Sequence, residues 1–544
     1  MNEMTTASGK QPSVPAKPEK EPASISVLGA LGVGSVVVGA TMGGSRALHK
    51  IKRNFTGYTE SRYLPLPEDA AAAMSAFTTV SRIGFGPTPG QISRIAETGI
   101  PGYIEEQLAD NMEEDSKVNW RTAGLESLQD VKDAPDLLFS MPDSQLLSEL
   151  QQSSIIRAVY SRHQLRENLF DFWTNHFNIY ALKDNGRELL PTDAERVIRP
   201  HILGKFKDML FASAKSPAML TFLDTAKNKR GAPNENYARE LMELHTVGVH
   251  SGYTLNDIQQ IARCFTGWTL KEGFKRGLFV FRLTDFTRAP DWFYFDSAEH
   301  DNGAKYIPFL RLPIPAGGGE NDVTPVLEKL SLHPDTANRL AQKLCMRFLG
   351  NQPQEIVDKA ASAYLRNDTD IRSMLRPILL DGLPDSSNLR PILKRPFSMM
   401  ISSLRALAAD TDGGDSLQSH LGNMGQPLYQ WPMPDGFPPQ EAAWTGSLLP
   451  RWNYSIALTS GSIAGTEVDI SSLIAAAGAV SDTQKLDALI ETILSRRADS
   501  PEAAPARNSV QNYMEQARSH NMPETEILSE CAALLLSAPI FQWR

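Results

Sequence analysis

The stretch Ser144–Phe177, SQLLSELQQSSIIRAVYSRHQLRENLFDFWTNHF, indicates the class of fold. Its apolar residues recur at intervals of three and four, which is typical of a helix with one buried face. Phe170, Trp173 and Phe177 form such a stripe near its end. The stretch is long for a single helix, so the pattern predicts either one long helix or two in succession.

Helical patterns continue on both sides of this stretch. They are predicted for residues 68–80, 91–97, 101–108, 194–213, 234–246, 255–266, 323–330, 335–348, 354–366, 371–379, 396–408 and most of 442–543. Residues 113–142 are poorly patterned and are predicted to be rich in loops. Aromatic and β-branched residues at 278–283 and 292–295 predict a small hairpin or sheet around 278–310. The expected fold class is therefore mainly α, a large multi-helical single body with a small β insertion.

Composition limits the kinds of partner. The chain has 544 residues, of which 41% are hydrophobic and 22% are charged, as in ordinary globular proteins. The first 53 residues carry seven Lys/Arg and three Glu, a net charge of +4, so the remainder carries −13 of the total of −9. An acidic body lacks a broad positive field for phosphate backbones, and we expect no nucleic-acid partner. Cys264, Cys345 and Cys531 are too few and too dispersed for a disulfide framework and are predicted to be buried.

The N-terminal region is predicted to be separate from the helical body. Residues 1–23 are polar and typical of a disordered leader, residues 24–45 are uncharged and weakly hydrophobic, and residues 46–74 form a linker. Segment 24–45 has three interpretations: a signal peptide cleaved near residues 38–40, an uncleaved membrane tether, or a flexible stretch outside any membrane. Basic residues follow it, and in a tether these would keep the body in the cytoplasm.

The segment Asn234–His245, NENYARELMELH, carries the densest set of reactive side chains. On a helix, Asn236, Glu240 and Glu243 fall on one face, and Arg239 lies at its border. Two carboxylates and an amide on one face suit a hard cation or a carboxylate pair for acid/base work. A solvated helix face has the same pattern, so both interpretations stay open.

Three histidines deserve separate interpretations. His245 falls on the apolar side of its helix and is predicted to be a core residue. His176 follows Asn175, and it could ligate a metal, act as a base or stabilise the end of its helix. His300 precedes a turn sequence that begins at Asp301, and turn formation explains the Asp, Asn and Gly but not the histidine. The sequence contains no phosphate loop, nucleophile elbow or zinc-binding helix motif.

Several of these motifs together resemble a bacterial family catalogued as domain of unknown function 1800. The motifs, in chain order, are Arg82–Pro87, Asp171–Phe177, Asn234–Gly248, Ala262–Trp268, His300–Gly303, His333–Ala337, Gly425–Leu428 and Ser537–Gln542. The resemblance implies one long domain over residues 75–544. It also implies export to the cell envelope and a co-encoded sulfatase-like partner, because members are often exported and their genes often neighbour such a family. His245 stands where the family pattern leads us to expect an aromatic residue such as Phe, which supports a packing role.

Two functional hypotheses follow. The first is an enzyme, a metal-dependent hydrolase of a surface polymer or envelope component. Its predicted catalytic residues are His176, Glu240, Glu243, His300 and Asp301; its predicted substrate contacts are Asn175, Asn236, Arg239 and Trp431; and its predicted divalent-metal ligands are His176, Glu240 and Glu243. The second is a non-catalytic binding or assembly protein at the envelope, which would use the aromatic region from Trp431 to Trp452 and tether itself through residues 24–45.

Overall fold

The computed structural model describes residues 63–109, 115–133, 135–271 and 292–544, together with two short strands nearer the N-terminus. The chain divides into two compact units, residues 1–60 and residues 61–544. In the first unit the described part is an antiparallel pair, β1 (Ser24–Ile25) and β2 (Val38–Gly39). The predicted leader, the remainder of segment 24–45 and the linker up to residue 62 lie outside the described residues.

The second unit is built mainly of helices, which confirms the predicted fold class. Its described α-helices are α1 (Ala70–Ile83), α2 (Gln91–Thr98), α3 (Ile100–Leu108), α4 (Ser116–Thr122), α5 (Glu126–Asp133), α6 (Asp143–Tyr160), α7 (Gln164–His176), α8 (Gly186–Thr192), α9 (Phe206–Lys215), α10 (Pro217–Phe222), α11 (Asn236–Glu240), α12 (Leu255–Cys264), α13 (Thr324–Ser331), α14 (Pro334–Leu349), α15 (Gln354–Arg366), α16 (Ile371–Arg376), α17 (Pro396–Ala406), α18 (Asp415–Asn423), α19 (Leu448–Thr459), α20 (Ile470–Ala476), α21 (Asp482–Leu494), α22 (Ala504–Ser519), α23 (Glu524–Ser537) and α24 (Pro539–Gln542).

Shorter helical turns join these elements. The 3-10 turns are Pro135–Ser140, Arg199–His201, Thr225–Lys227, Gly319–Val323, Ser386–Asn388 and Glu441–Ala443, and the π-helical turns are Asp193–Ile198, Leu241–His245 and Pro377–Gly382. The π turn at Leu241–His245 continues α11 without a break. The segment Asn234–His245 therefore changes its helical pitch after Glu240. Such π turns are common at functional sites.

The described sheets of this unit are three small antiparallel pairs. β3 (Trp268–Leu270) pairs with β4 (Phe293–Phe295), β5 (Lys305–Ile307) with β6 (Leu312–Ile314), and β7 (Asp410–Thr411) with β8 (Thr466–Glu467). β4 lies within the predicted strand at 292–295, whereas residues 278–283 fall outside the described part of the chain. The partner of β4 is β3, which directly follows α12.

The stretch Ser144–Phe177 lies mainly in two helices, α6 and α7. They are separated by a turn in which the amide of His163 donates to Ser161 Oγ at 3.0 Å. Residues 113–142, predicted to be rich in loops, instead contain α4, α5 and a 3-10 turn. These helices are too short to show a clear period, and local caps and tertiary contacts stabilise them. Asp115 caps α4, and the Glu149 carboxylate on α6 accepts from the amide and hydroxyl of Ser127 at 2.8 and 2.7 Å.

Helix α14 lies beside α7 and positions much of the site described below. Pro334 occupies its first turn, and His333 Nδ1 accepts from the amide of Asp335 at 3.2 Å, so its N-terminus is capped. Gly350 ends it in the left-handed conformation with φ of 72°, as is common at helix C-termini. Its apolar face packs on α15, and the fully buried residues of that face are Leu340, Ala341, Leu344, Cys345 and Phe348.

Two further expectations can be compared with this fold. Cys264, Cys345 and Cys531 are all free thiols in buried positions, as predicted. Across the described ranges, no helix combines the length and the apolar character that crossing a membrane requires.

Candidate functional site

His176 lies at the C-terminal end of α7, where the aromatic stripe of that helix enters the core. Trp173 and Phe177 are buried, and the His176 ring lies edge-on to both, with ring centroids 5.5 and 4.7 Å away. His176 itself is only 3% exposed. The apolar stripe read from the sequence therefore carries the histidine into the interior.

Both ring nitrogens of His176 have a hydrogen-bond partner. Lys343 Nζ on α14 donates to His176 Nδ1 at 2.8 Å, and His176 Nε2 lies 3.2 Å from the carbonyl oxygen of His245. A carbonyl can only accept, so Nε2 carries the proton and Nδ1 is the acceptor. Burial, followed by the charge of Lys343, holds the pKa of His176 well below its ordinary value, so the ring is neutral at physiological pH.

Lys343 is the most unusual group at this junction. Its side chain is half-buried, its amine donates to His176, and within the described part of the chain no carboxylate lies within 4.0 Å of that amine. Burial and then the neighbouring guanidinium of Arg339 lower the pKa of Lys343 to about 7. A substantial fraction of the amine is therefore neutral at neutral pH, with a free lone pair. Lysines whose pKa is lowered in this way serve as general bases and nucleophiles in enzymes.

His245 closes the junction from the π turn. It is 1% exposed, its ring centroid lies 6.1 Å from that of His176, and burial lowers its pKa to about 3. Neither ring nitrogen makes a hydrogen bond to any described residue, and the buried hydroxyl of Tyr237 is also unpaired there. Its burial agrees with the predicted packing role. The unpaired nitrogens are costly in a purely structural residue. We call His176, His245 and Lys343 the histidine–lysine centre.

Glu240 on α11 and Glu243 on the π turn that follows it are both partly exposed. Glu243 lies 3.7 Å from Arg239, which also pairs with Glu235 at 3.2 Å, so the i,i+4 spacing survives the change of pitch. Burial and then the charge of Glu243 raise the pKa of Glu240. Burial and then Glu243 also raise the pKa of Tyr253 to about 12. A raised pKa makes it easier for Glu240 to hold a proton and act as an acid.

The loop from Trp431 to Phe437 lies near Glu240, since the charge of Asp435 contributes to the raised pKa of Glu240. Asn175 anchors this loop: its Oδ1 accepts from the amide of Phe437 at 2.7 Å, and its Nδ2 donates to the Phe437 carbonyl at 3.1 Å. The indole of Trp431 donates to Asp435 at 3.0 Å. The side-chain amide of Asn175, which was predicted to contact the substrate, therefore makes its hydrogen bonds with the loop.

The other sequence-predicted residues lie in two places. Asn236 starts α11, and its amide group donates to the carbonyl of Leu223 at 3.3 Å. His300 lies in a different network: it is 1% exposed, its Nδ1 lies 2.7 Å from the carbonyl of Thr266, and its Nε2 lies 3.1 Å from Asp322 Oδ2. Among the described residues, His300 makes no polar contact with the histidine–lysine centre, and its joint role with His176 and Glu240 stays a prediction.

Asp301 belongs to this second network. Arg263 donates to both of its oxygens at 2.7 and 3.2 Å, which lowers the pKa of Asp301 to about 2. Lys305 donates to the buried Asp322 at 2.6 Å. Gly318 has a steric reason here, because a Cβ on that residue would lie 2.1 Å from an Asp322 oxygen. These contacts give His300 and Asp301 a structural role that the sequence motif alone does not reveal.

The predicted metal ligands are His176, Glu240 and Glu243. Within the described ranges, no group of three or more His, Cys, Asp or Glu side chains has an arrangement that could hold a metal ion. His176 uses both nitrogens for Lys343 and the His245 carbonyl. The residues in this arrangement therefore do not fit a bound metal, and the metal site stays a prediction.

A family model described as "Protein of unknown function (DUF1800)" matches residues 78–543. The chain belongs to the DUF1800 family. Comparisons with curated proteins and with solved structures gave no match. The matched residues of this DUF1800 chain contain the whole histidine–lysine centre, Glu240, Glu243 and the loop from Trp431 to Phe437.

Lys343 is the residue of this site that the sequence did not reveal. It stands among apolar and polar helical positions like any solvent-facing lysine. The one available signal was its place midway between Arg339 and Arg347, which makes an i,i+4 basic stripe on a helix with only one apolar face. Only the packing of α14 against α7 shows that this stripe faces the interior.

Proposed function

We propose that this DUF1800 protein is an enzyme that hydrolyses an envelope component, with its reaction centre at Lys343 and His176. The observation that carries the proposal is the Lys343 amine, 2.8 Å from His176 Nδ1, with its pKa lowered to about 7 and no described carboxylate paired to it. Lysines that are even partly removed from water without a counterion are costly and are found where their chemistry is used. The envelope location and a sulfatase-like partner rest on the family resemblance alone.

The residues around Lys343 suggest a division of labour. The neutral amine would act as the general base that deprotonates water, and His176 would hold the amine in place by accepting a hydrogen bond from it. Glu240, whose pKa is raised, would protonate the leaving group. Glu243, Arg239 and the loop that starts at Trp431 would line the approach for the substrate.

A metal-dependent form of this reaction needs His176 to leave Lys343 and join Glu240 and Glu243. Metal analysis of the purified protein, wild type against His176→Ala, tests that form directly. A stoichiometric divalent ion that is lost in the folded variant would replace the acid/base proposal with the metal-dependent one.

The activity test uses polymers of bacterial envelopes as substrates. Purified full-length protein is incubated with peptidoglycan, lipopolysaccharide and capsular polysaccharide preparations, and soluble fragments are measured by mass spectrometry. We expect release by the wild type, with a loss of about 100-fold or more in Lys343→Met and Glu240→Gln. Lys329→Met, an exposed lysine on α13, is the matched control. Equal release by folded Lys343→Met would contradict the proposal.

A second candidate, a non-catalytic binding protein, is supported by a groove in the C-terminal helices. A cavity of about 1150 Å³ lies among α19, α22, α23 and α24 and is lined by Trp452, Ile456 and Leu534, all at least 40% exposed. Under this candidate, Glu240→Gln preserves function, whereas Trp452→Ala or Trp431→Ala abolishes it. Trp444 is unsuited to the test, because it is buried and its indole donates to the Pro438 carbonyl at 3.0 Å.

A further inference from the structure

Four arginines from distant parts of the chain lie close together, with Arg544 near the other three and near Asp171 on α7. Arg82 comes from α1, Arg347 from α14, Arg395 from the residue before α17, and Arg544 from the segment after α24. Arg347 and Arg395 both donate to Asp171 Oδ2, at 2.7 and 2.5 Å. We call these four residues the arginine cluster.

The charges of the arginine cluster are not balanced. Among the residues that the structure describes, Asp171 is the only carboxylate within 4.0 Å of any of the four guanidinium groups. Burial and then the charges of Arg347, Arg82 and Arg395 lower the pKa of Arg544, which places all four in one electrostatic neighbourhood. Four cations around one anion are costly in a protein interior unless a further anion compensates them.

Two members of the cluster also have donors without acceptors. Arg82 is 3% exposed; its Nη2 donates to the carbonyl of Arg390 at 2.6 Å, but its Nε and Nη1 have no partner among the described residues. Arg544 uses Nη1 for the carbonyls of Ser81 and Gly84, and its Nε has no described partner. Buried guanidinium N–H groups almost always find an acceptor in a native protein. A missing acceptor and a missing negative charge thus occur at the same place.

We propose that the arginine cluster binds a tetrahedral oxyanion, a phosphate or sulfate group, either free or as a monoester. Planar guanidinium forks bind such groups with paired, charge-assisted hydrogen bonds, and several arginines can share one tetrahedral anion. Arg347 is four residues from Lys343 on α14, a rise of about 6 Å along the helix. An anionic substituent held by the cluster would therefore lie close to the histidine–lysine centre. The inference does not depend on hydrolysis, because the anion is detected by binding alone.

The test measures binding of inorganic phosphate and inorganic sulfate to the full-length protein at low ionic strength by calorimetry. Thermal unfolding is followed in parallel, with chloride at matched ionic strength as the reference. We expect saturable binding and a Tm higher by about 2–4 °C in phosphate or sulfate than in chloride. Methyl phosphate and methyl sulfate then distinguish a free ion from a substituent of a larger molecule, and binding of either form supports the site.

Variants locate the binding. Arg82→Met removes the donors that lack partners and should weaken phosphate binding by about 10- to 100-fold. Arg518→Met is the matched control, since that arginine pairs with Asp482 at the surface and should bind phosphate like the wild type. If Arg82→Met fails to fold, Arg82→Lys keeps the charge but loses the fork and should still weaken binding. The proposal is overturned if wild-type protein binds neither anion more strongly than chloride, or if folded Arg82→Met binds phosphate as the wild type does.

Discussion

At the scale of single residues, Lys343 couples the site to protein stability. A lysine in an unfolded chain has a pKa of about 10.4, whereas partial burial lowers the pKa of Lys343 in the folded protein to about 7. Between these two pKa values the unfolded state binds more protons, so the contribution of Lys343 to stability rises with pH. Below pH 7 both states are protonated, and the full destabilisation by the partly buried charge is present.

Lys343→Met should therefore be more stable than the wild type at pH 6, by about 2–4 kcal/mol, and this advantage should shrink towards pH 10. Denaturant unfolding at pH 6, 8 and 10 measures the difference, and comparing the two proteins cancels the other titrating groups. Lys329→Met should show a small difference that does not change with pH. A Lys343→Met protein that is less stable than the wild type at pH 6 would contradict the expected sign.

Asp171 gives a second expectation at this scale. Asp171→Asn removes the only described carboxylate of the arginine cluster and should cost about 3–5 kcal/mol, because it leaves buried cations uncompensated. Asp482→Asn breaks an exposed pair with Arg518 and should cost less than about 1 kcal/mol. Urea unfolding at pH 7 compares the two, and equal costs would show that Asp171 is not the counterion of a buried cluster.

At the scale of elements, the loop from Trp431 to Phe437 depends on a close approach to α7. Gly436 has φ of 73°, and a Cβ there would lie 2.3 Å from the backbone oxygen of Asn175. Gly461 has nearly the same conformation, with φ of 71°, but a Cβ there would meet nothing within 4 Å. Comparing substitutions at Gly436 and Gly461 therefore separates the effect of backbone strain from the effect of a steric clash.

Gly436→Ala should displace the loop and cost more stability than Gly461→Ala, by about 1–3 kcal/mol. It should also lower the activity proposed for Lys343, because the loop lies near Glu240. Thermal unfolding and fragment release measure both effects. Equal destabilisation by the two substitutions would mean that the loop does not pack on Asn175 in solution.

The bounds of helices α14 and α15 could be predicted from the sequence. Helix α15, Gln354–Arg366, has the predicted bounds, and α14 differs from its prediction by one residue at each end, because strong apolar periods and end signals specify them locally. The sequence pattern did not predict the π turn after Glu240. The sequence pointed to His176 and the α11 carboxylates. It could not show that His300 contacts Asp322, because the two residues are far apart in sequence and only the folded chain brings them together.

At the scale of the whole molecule, the C-terminal segment ties distant regions together. The backbone of Arg544 exchanges two hydrogen bonds with Ile392, both 3.0 Å, and Gln542 accepts from the buried Arg451 at 2.9 Å. No local sequence pattern predicts contacts between residues so far apart in the chain. The arginine cluster could therefore not be predicted from the sequence.

Deleting residues 539–544 should therefore lower the Tm by several degrees, since it removes the buried Phe541, the Ile392 pairing and the contacts of Arg544 with α1. Differential scanning calorimetry measures the change. Arg544→Ala keeps the backbone pairing and should have a smaller effect. An unchanged Tm after the deletion would mean that this segment does not stabilise the rest of the unit.

The most direct measurement is the titration of the Lys343 amine itself. Competitive labelling with limiting acetic anhydride across pH 5–11, read by peptide mass spectrometry, gives the midpoint for each lysine in the full-length protein. We expect Lys343 to titrate near pH 7 and to shift when His176→Asn removes its hydrogen-bond acceptor, while Lys329 behaves as an ordinary exposed lysine. A midpoint for Lys343 near that of Lys329 would contradict the assignment of Lys343 as the base of the reaction centre.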